Sequence, residues 1–192
     1  MKTRLADIAE VRTGFPFRQA VESVPNGALA VVQMKNIDES AGLNLEACAL
    51  IEDDPKRYAQ HLLKVGDVLL QSKGSKFPAA VLDKAVHGIA ALGLMIIRPR
   101  TVTPEYLQWV LNQPRTRGAL RAVARGTYVP FLSRVDVEEL QVPLPAIETQ
   151  HRIVEIDRLR RHEQRLVTRL NELNDVFTDA LVWKAAASKP RN

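Results

Sequence analysis

An α+β domain followed by one long C-terminal coiled-coil helix is the fold class this sequence predicts, on three observations. Short runs rich in Val, Ile and Leu, bounded by Gly or polar clusters, recur over residues 1–143. Helix-start signals interrupt them irregularly, without the βαβ rhythm of a doubly wound sheet. From about Glu148 to Lys184 the chain has neither Gly nor Pro and carries a sustained three–four apolar spacing. With 192 residues, 46% of them hydrophobic, the chain is long enough for one domain with a real core and an appended element.

The strands expected are Leu5–Arg12, Leu29–Met34, Asp67–Gln71 and Ile89–Arg98. A helix follows at Thr103–Leu111, where Thr103 can cap the free N–H groups, Pro104 suits the first turn and Glu105 favours the positive end of the dipole. A second helix after Pro114 would place Arg117, Arg121 and Arg125, four residues apart, on one face. Ser133-Arg134-Val135-Asp136 has the form of a capping signature opening a short helix. Val142-Pro143-Leu144-Pro145 must then be extended, because each proline bars its predecessor from helical torsions. The domains expected are therefore 1–143, a helix within 144–184, and a disordered tail over 185–192.

Positions 156, 159, 163, 166, 170, 173, 177 and 180 of that helix are Ile156, Leu159, Glu163, Leu166, Leu170, Leu173, Phe177 and Ala180. Seven of the eight suit an apolar seam, and Glu163 is the kind of charge that fixes register or partner at a cost in stability. The alternative is a long amphipathic helix lying on its own domain. Charges along the helix are polarised: six arginines and three acids from Arg152 to Arg169, then three acids and one lysine from Leu170 to Lys184. An antiparallel pair sets unlike halves together, whereas a parallel pair opposes basic to basic.

The formal net charge is +5, but its placement says more than its size. From Arg98 to Arg134 seven arginines face one acid, Glu105, while Glu46 to Asp54 is acidic. A localised basic surface is what tracking phosphates requires. The single cysteine, Cys48, rules out an internal disulfide and reads as a buried structural residue in a reducing compartment. No apolar run has the length of a signal peptide or membrane span, so the chain reads as cytoplasmic, with no membrane partner.

Several stretches have the chemistry to contact DNA. Gln71, Ser72, Lys73, Ser75 and Lys76 surround Gly74, which lets backbone approach a groove while Lys and Gln reach base edges. The other reading of this stretch is a solvated hairpin tip. Gln33, Lys35 and Asn36 at the end of another strand are similar, and Arg18 follows Phe15-Pro16-Phe17 in a loop. The Arg117, Arg121 and Arg125 face suits phosphate positioning, or docking of an acidic protein. Tyr128 and Phe131, flanking Pro130 in an apolar run, read as packing residues rather than stacking platforms.

Enzymatic readings find little. Asp54 with Gln71-Ser72-Lys73 resembles a nuclease pattern with one well-placed acid, where a divalent metal wants at least two. The glycine-rich turn and Asn/Asp-Pro-Pro-aromatic loop of an amino-methyltransferase are absent, as is a nucleophile elbow. His61, His87, His151 and His162 show no ligand spacing, so no metal site is expected.

Four stretches in order carry a family resemblance. They are Leu5-Ala6-Asp7-Ile8-Ala9-Glu10-Val11-Arg12-Thr13-Gly14-Phe15-Pro16-Phe17, Gln33-Met34-Lys35-Asn36-Ile37, Lys64-Val65-Gly66-Asp67-Val68-Leu69-Leu70-Gln71-Ser72-Lys73-Gly74-Ser75, and Gly126-Thr127-Tyr128-Val129-Pro130-Phe131-Leu132-Ser133. The last continues through Leu140-Gln141-Val142-Pro143-Leu144-Pro145 to Glu148, Gln150, Ile153 and Val154. Together they resemble the specificity subunits of type I restriction-modification systems of bacterial defence, over nearly the whole chain. Such subunits usually carry two target-recognition domains and two spacer helices, whereas this sequence has one of each, so it resembles a half-subunit for which dimerisation is the natural repair. The resemblance implies a non-catalytic DNA-binding chain whose loops enter the major groove. It further implies spacer helices that pair antiparallel, set the spacing of two inverted half-sites and dock adenine methyltransferase subunits. S-adenosylmethionine would belong to those partners, and a restriction or translocase subunit is a further partner the family admits. The alternative from another class is a protein-interaction adaptor that dimerises through its coiled coil and never reads DNA.

Overall fold

The computed structural model describes residues 2–38, 42–52, 55–59 and 61–187. In chain order the elements are β1 (Lys2–Arg4), α1 (Leu5–Ile8), β2 (Ala9–Thr13), β3 (Leu29–Val32), β4 (Ile37–Asp38), β5 (Gly42–Leu43), β6 (Ala49–Ile51), β7 (Val68–Gln71), β8 (Ala79–Val81), β9 (Gly88–Ala90) and β10 (Leu94–Pro99). They continue with α2 (Pro104–Asn112), α3 (Pro114–Val123), α4 (Arg134–Glu138), β11 (Gln141–Pro143) and α5 (Ile147–Ala187). Two compact units result, Met1–His151 and Arg152–Asn192.

The first unit is α+β, as its sequence predicts. Its main sheet is antiparallel in the order β2-β10-β7-β8, and a second sheet has the order β6-β3-β9 with β3 and β9 parallel. Leu69 and Ile96 from the main sheet meet Val32 and Ala90 from the second in one core, joined by Leu82 and Leu94. The opposite face of the main sheet is covered by α2, which packs against β7, β8 and β10. Being covered on both faces, β7 and β10 read as unbroken apolar runs rather than alternating ones. Cys48 belongs to the first core, and burial pushes its thiol pKa up, which leaves it a poor nucleophile.

Several sequence expectations are corrected. Leu5–Arg12 is not one strand: its first four residues form α1, because Leu5 and Ile8 stand at helical spacing and are both buried, and Arg4 closes the turn onto Asp7 at 2.9 Å. The run from Ile89 to Arg98 breaks into β9 and β10 at Gly93, whose φ of +104° a side chain would resist. Leu29–Met34 stops at Val32, since Met34–Asn36 is a turn of 3-10 helix held by the Gln33 N–H donating to Asn36 Oδ1 at 2.8 Å. Arg125 lies beyond α3, which ends at Val123 where Ala124 turns extended.

The capping signals appear where the sequence puts them. Thr103 Oγ1 accepts the Tyr106 N–H at 3.3 Å. Ser133 and Asp136 form a reciprocal box, with Ser133 Oγ accepting the Asp136 N–H at 3.2 Å and Asp136 Oδ2 accepting the Ser133 N–H at 2.8 Å. The Pro143 segment is extended and pairs antiparallel with the N-terminal strand, Thr3 opposite Val142. Gln150, in the first turn of α5, accepts the Thr103 N–H at 3.0 Å and donates to Pro145 O at 3.0 Å, so that turn belongs to the first unit.

The second unit consists of the rest of α5. The helix continues over 185–187, expected in the tail, and 188–192 lie outside the described residues. Ile156, Leu159, Leu166, Leu170, Leu173 and Phe177 are all at least half exposed. Among the described residues no helix is long and apolar enough to cross a membrane.

Asp67, 1% exposed, ties the ends of two central strands: it accepts from Arg98 Nε at 2.7 Å, Arg98 Nη2 at 2.8 Å and the Lys64 N–H at 2.8 Å. Asp67→Ala leaves a half-buried guanidinium without its carboxylate and should lose about 3 kcal/mol of stability. Urea unfolding monitored by circular dichroism checks this, and a loss below about 1 kcal/mol contradicts it.

Candidate nucleic-acid interface

β7 and β8 form a hairpin closed by the Gln71 N–H donating to Pro78 O at 2.9 Å, and its tip is the Ser72–Phe77 segment. Phe77 turns the chain at φ +48° with its ring fully buried, so the apolar side chain holds the tip against the core. Ser72 is the junction. Its N–H donates to Gly93 O at 2.8 Å, and its carbonyl accepts the Leu132 N–H at 2.8 Å. The Gly74 N–H donates to Pro130 O at 2.8 Å. The hairpin tip is thus fastened edge to edge to a second loop, 125–132.

That second loop is itself closed by paired bonds between Arg125 and Phe131, at 2.7 and 2.9 Å. Gly126 makes the reversal at φ +96°, and a Cβ there would come 2.7 Å from Val129 O. At its root Asp136 binds Ser133 and reaches Arg125 at 3.5 Å. The Ser133 hydroxyl, and secondarily the Ser133 N–H and Arg125, hold its carboxyl below the usual carboxylate range.

The sequence-selected residues divide by what this scaffold asks of them. Lys73, Ser75 and Lys76 are exposed on the tip, and Lys35 is exposed on the neighbouring turn. Gln71 and Asn36 are committed within the fold: Gln71 Nε2 donates to Met34 O at 2.8 Å, and Asn36 Nδ2 donates to Ala47 O at 2.9 Å with the side chain buried. Ser72 is buried, and Gln33 is half-buried with its N–H used by Asn36. Gln71 and Asn36 through their side-chain amides, and Ser72 and Gln33 through their main chain, therefore build the site, while Lys73, Lys76 and Ser75 are exposed on it. The Gln71 bond also brings the Lys35 turn beside the hairpin.

Arg117, Arg121 and Arg125 do not form one face. Arg117 is half-buried and donates to Asn112 Oδ1 at 2.7 Å, Arg121 is exposed on α3, and Arg125 stands at the root of the second loop. Arg18 is exposed on a different loop, anchored by Phe15 and Phe17 on Tyr58. Asp54 lies outside the described residues, and among the described ones no three His, Cys, Asp or Glu side chains are grouped to hold a metal.

Tyr128 and Phe131 overturn the packing expectation. Tyr128 is 99% exposed and Phe131 42%, with Val129 exposed between them. An aromatic at the crest of a loop clamped beside two lysines is what the sequence reading missed. The signal available was Gly126, whose reversal two residues earlier sends the chain outward.

No protein-family model and no curated protein matches the chain. Solved structures do. The HsdS subunit from Thermoanaerobacter tengcongensis aligns with TM-score 0.72 at 22% identity, over 97% of this chain and 48% of that one. The S subunit of a type I restriction-modification system from M. genitalium gives TM-score 0.60 at 13% identity, over 94% and 44%. A chain from a structure describing complex assembly and conformational transition of the type I R-M system gives 0.61 at 18%, over 94% and 43%. The fold of this chain is thus one found in type I S subunits, and the chain spans less than half the length of each of these structures.

Because Gly126 is held between its torsion and Val129 O, Gly126→Ala should undo the second loop at a cost of about 1–3 kcal/mol. Amide exchange at Gly74 and Leu132, whose partners lie across the junction, should accelerate at least tenfold. Unchanged protection at both would show that the junction does not depend on this reversal.

Proposed function

We propose that this chain is a non-catalytic specificity subunit, or half-subunit, of a type I restriction-modification system that reads double-stranded DNA. The observation that carries the reading is the clamped pair of loops, which holds Lys73, Ser75 and Lys76 beside an exposed Tyr128 on a fold shared with S subunits. Lysines and hydroxyls on a hairpin tip suit base edges in the major groove, and Arg121 with its neighbours on the arginine-rich segment suits phosphates. Tyr128 adds an aromatic face able to stack or pack against bases.

In this reading the chain dimerises through α5 as an antiparallel pair, and two recognition units address inverted half-sites separated by unread base pairs. Methylation of adenine, with its S-adenosylmethionine, belongs to a methyltransferase subunit that this chain directs, and cleavage belongs to a restriction subunit where one is present. The exposed apolar seam supports the pairing, since burying each leucine contributes roughly 1.5–3 kcal/mol, twice over in a symmetric dimer.

Two experiments test this. In footprinting on a selected target, Lys73→Ala should change preference at one position, at a cost of about 1–3 kcal/mol, whereas Arg121→Ala should weaken all sequences alike and lower the salt slope by about one. A chain with no salt-dependent, sequence-specific footprint is instead an interaction adaptor. In light scattering, the double substitution Leu166→Asp and Leu173→Asp should convert dimers to monomers. A double variant that remains dimeric places the interface elsewhere.

A further inference from the structure

At the crest of the 125–132 loop two neighbouring side chains stand in water, Tyr128 at 99% and Val129 at 58% exposed. Among the described residues the Tyr128 hydroxyl has no hydrogen-bond partner. Phe131 serves a different end. Its ring lies over Gly126, where an added Cβ would stand 3.3 Å from ring atom Cδ1, and its main chain bridges both Lys73 and Arg125. The backbone beneath the crest is therefore fixed, by those bridges and by the Gly74 N–H donated to Pro130 O at 2.8 Å. A tyrosine has two torsions to immobilise and a valine one, so holding this pair against a ligand costs little side-chain entropy.

The surroundings select the ligand. Segments 71–77 and 125–132 carry Lys73, Lys76 and Arg125 and no acid. Arg125 is shared with Asp136 at the loop's root, whereas Lys73 has no ion-pair partner among the described residues. Cations around an apolar crest suit a polyanion that itself bears apolar groups. Duplex DNA bears one kind at its base edges, the C5-methyl of thymine, and it lies in the major groove. The base faces are apolar too, but reaching them requires unstacking a step. A methyl group is met without that cost, in the same groove as the acceptors that Lys73 and Ser75 can address.

We infer that Tyr128, supported by Val129, is a specificity-determining residue that reads the C5-methyl of one thymine in the half-site. The inference rests on the DNA-reading function proposed above and names the base that this loop selects. An aromatic ring laid against a methyl group removes apolar surface of both from water. At cytosine the same ring meets C5–H beside an N4 amino donor, and at a purine on that strand it meets N7. Those are polar atoms that the ring desolvates without pairing. The ring carries the discrimination, and the phenol hydroxyl takes no part in it.

The test is binding of the full chain to the duplex it selects, with each thymine replaced in turn by deoxyuridine, which lacks only the C5-methyl. One thymine per half-site is expected at which the exchange raises the dissociation constant about fourfold, the scale of one methyl group leaving water. Tyr128→Ala should weaken binding to the thymine target and abolish the difference between thymine and uracil at that position, whereas Tyr128→Phe should preserve it. Both variants should keep the circular dichroism spectrum unchanged, because Tyr128 is wholly exposed. A target in which every thymine tolerates the exchange overturns the inference and leaves the Lys73 contact standing. So does a uracil effect that survives in Tyr128→Ala, since another side chain then reads that methyl. If 2-aminopurine beside the crest brightens on binding, loses that signal in Tyr128→Ala and shows no uracil effect, the residue is an intercalating wedge and the inference is overturned. A chain without a salt-dependent, sequence-specific footprint fails at the earlier step, DNA reading itself, and removes both.

Discussion

Two backbone hydrogen bonds at Ser72 hold the hairpin tip and the 125–132 loop of the first unit in one arrangement. Its N–H is held by Gly93 and its carbonyl by Leu132, so one residue fixes the strand end, the β9–β10 turn and the 125–132 loop together. A lone hairpin tip carrying Lys73 and Lys76 would pay the entropy of ordering its side chains on every encounter. Fastening it to a second loop whose own base is closed by Arg125 and Phe131 prepares part of that order in advance. The side-chain amides of half-buried Gln71 and buried Asn36 extend the same logic to the Lys35 turn. Rigidity here comes from main-chain bonds, which leaves the exposed side chains free to differ without disturbing the platform. A surface that must keep its shape while its side chains vary is well served by that separation.

Much of this architecture was legible in the residues because the signals were local. Thr103 and Ser133 announce their helices through caps that need only three following residues, and both caps form. β3, β7 and the long helix follow from apolar patterns contained in one stretch. What escaped depended on distant partners. β1 and β11 lie at opposite ends of the unit and show no pattern until they pair. The helical spacing of Leu5 and Ile8 is hidden in a longer apolar run, and Arg4 holds the turn through nearby Asp7 and distant Glu139.

The site was readable in chemistry but not in role. Asn36 and Gln71 have the amides that read adenine, yet the fold commits them to the backbone carbonyls of Ala47 and Met34. Tyr128 sat in an apolar run beside Pro130 and looked like core. Closure of the loop at Arg125 and Phe131 turns it into solvent instead. Residue type names what a side chain can do, and only the hydrogen-bond ledger of its surroundings tells whether it is free to do it.

The pairing of β1 with β11 reaches beyond stability. Lys2 lies opposite Pro143, so the two ends of the first unit lie on neighbouring strands. A unit whose two ends share one doorway is portable. It can be spliced into a longer chain at a single point, or repeated in tandem behind its helix, without the fold being rethreaded.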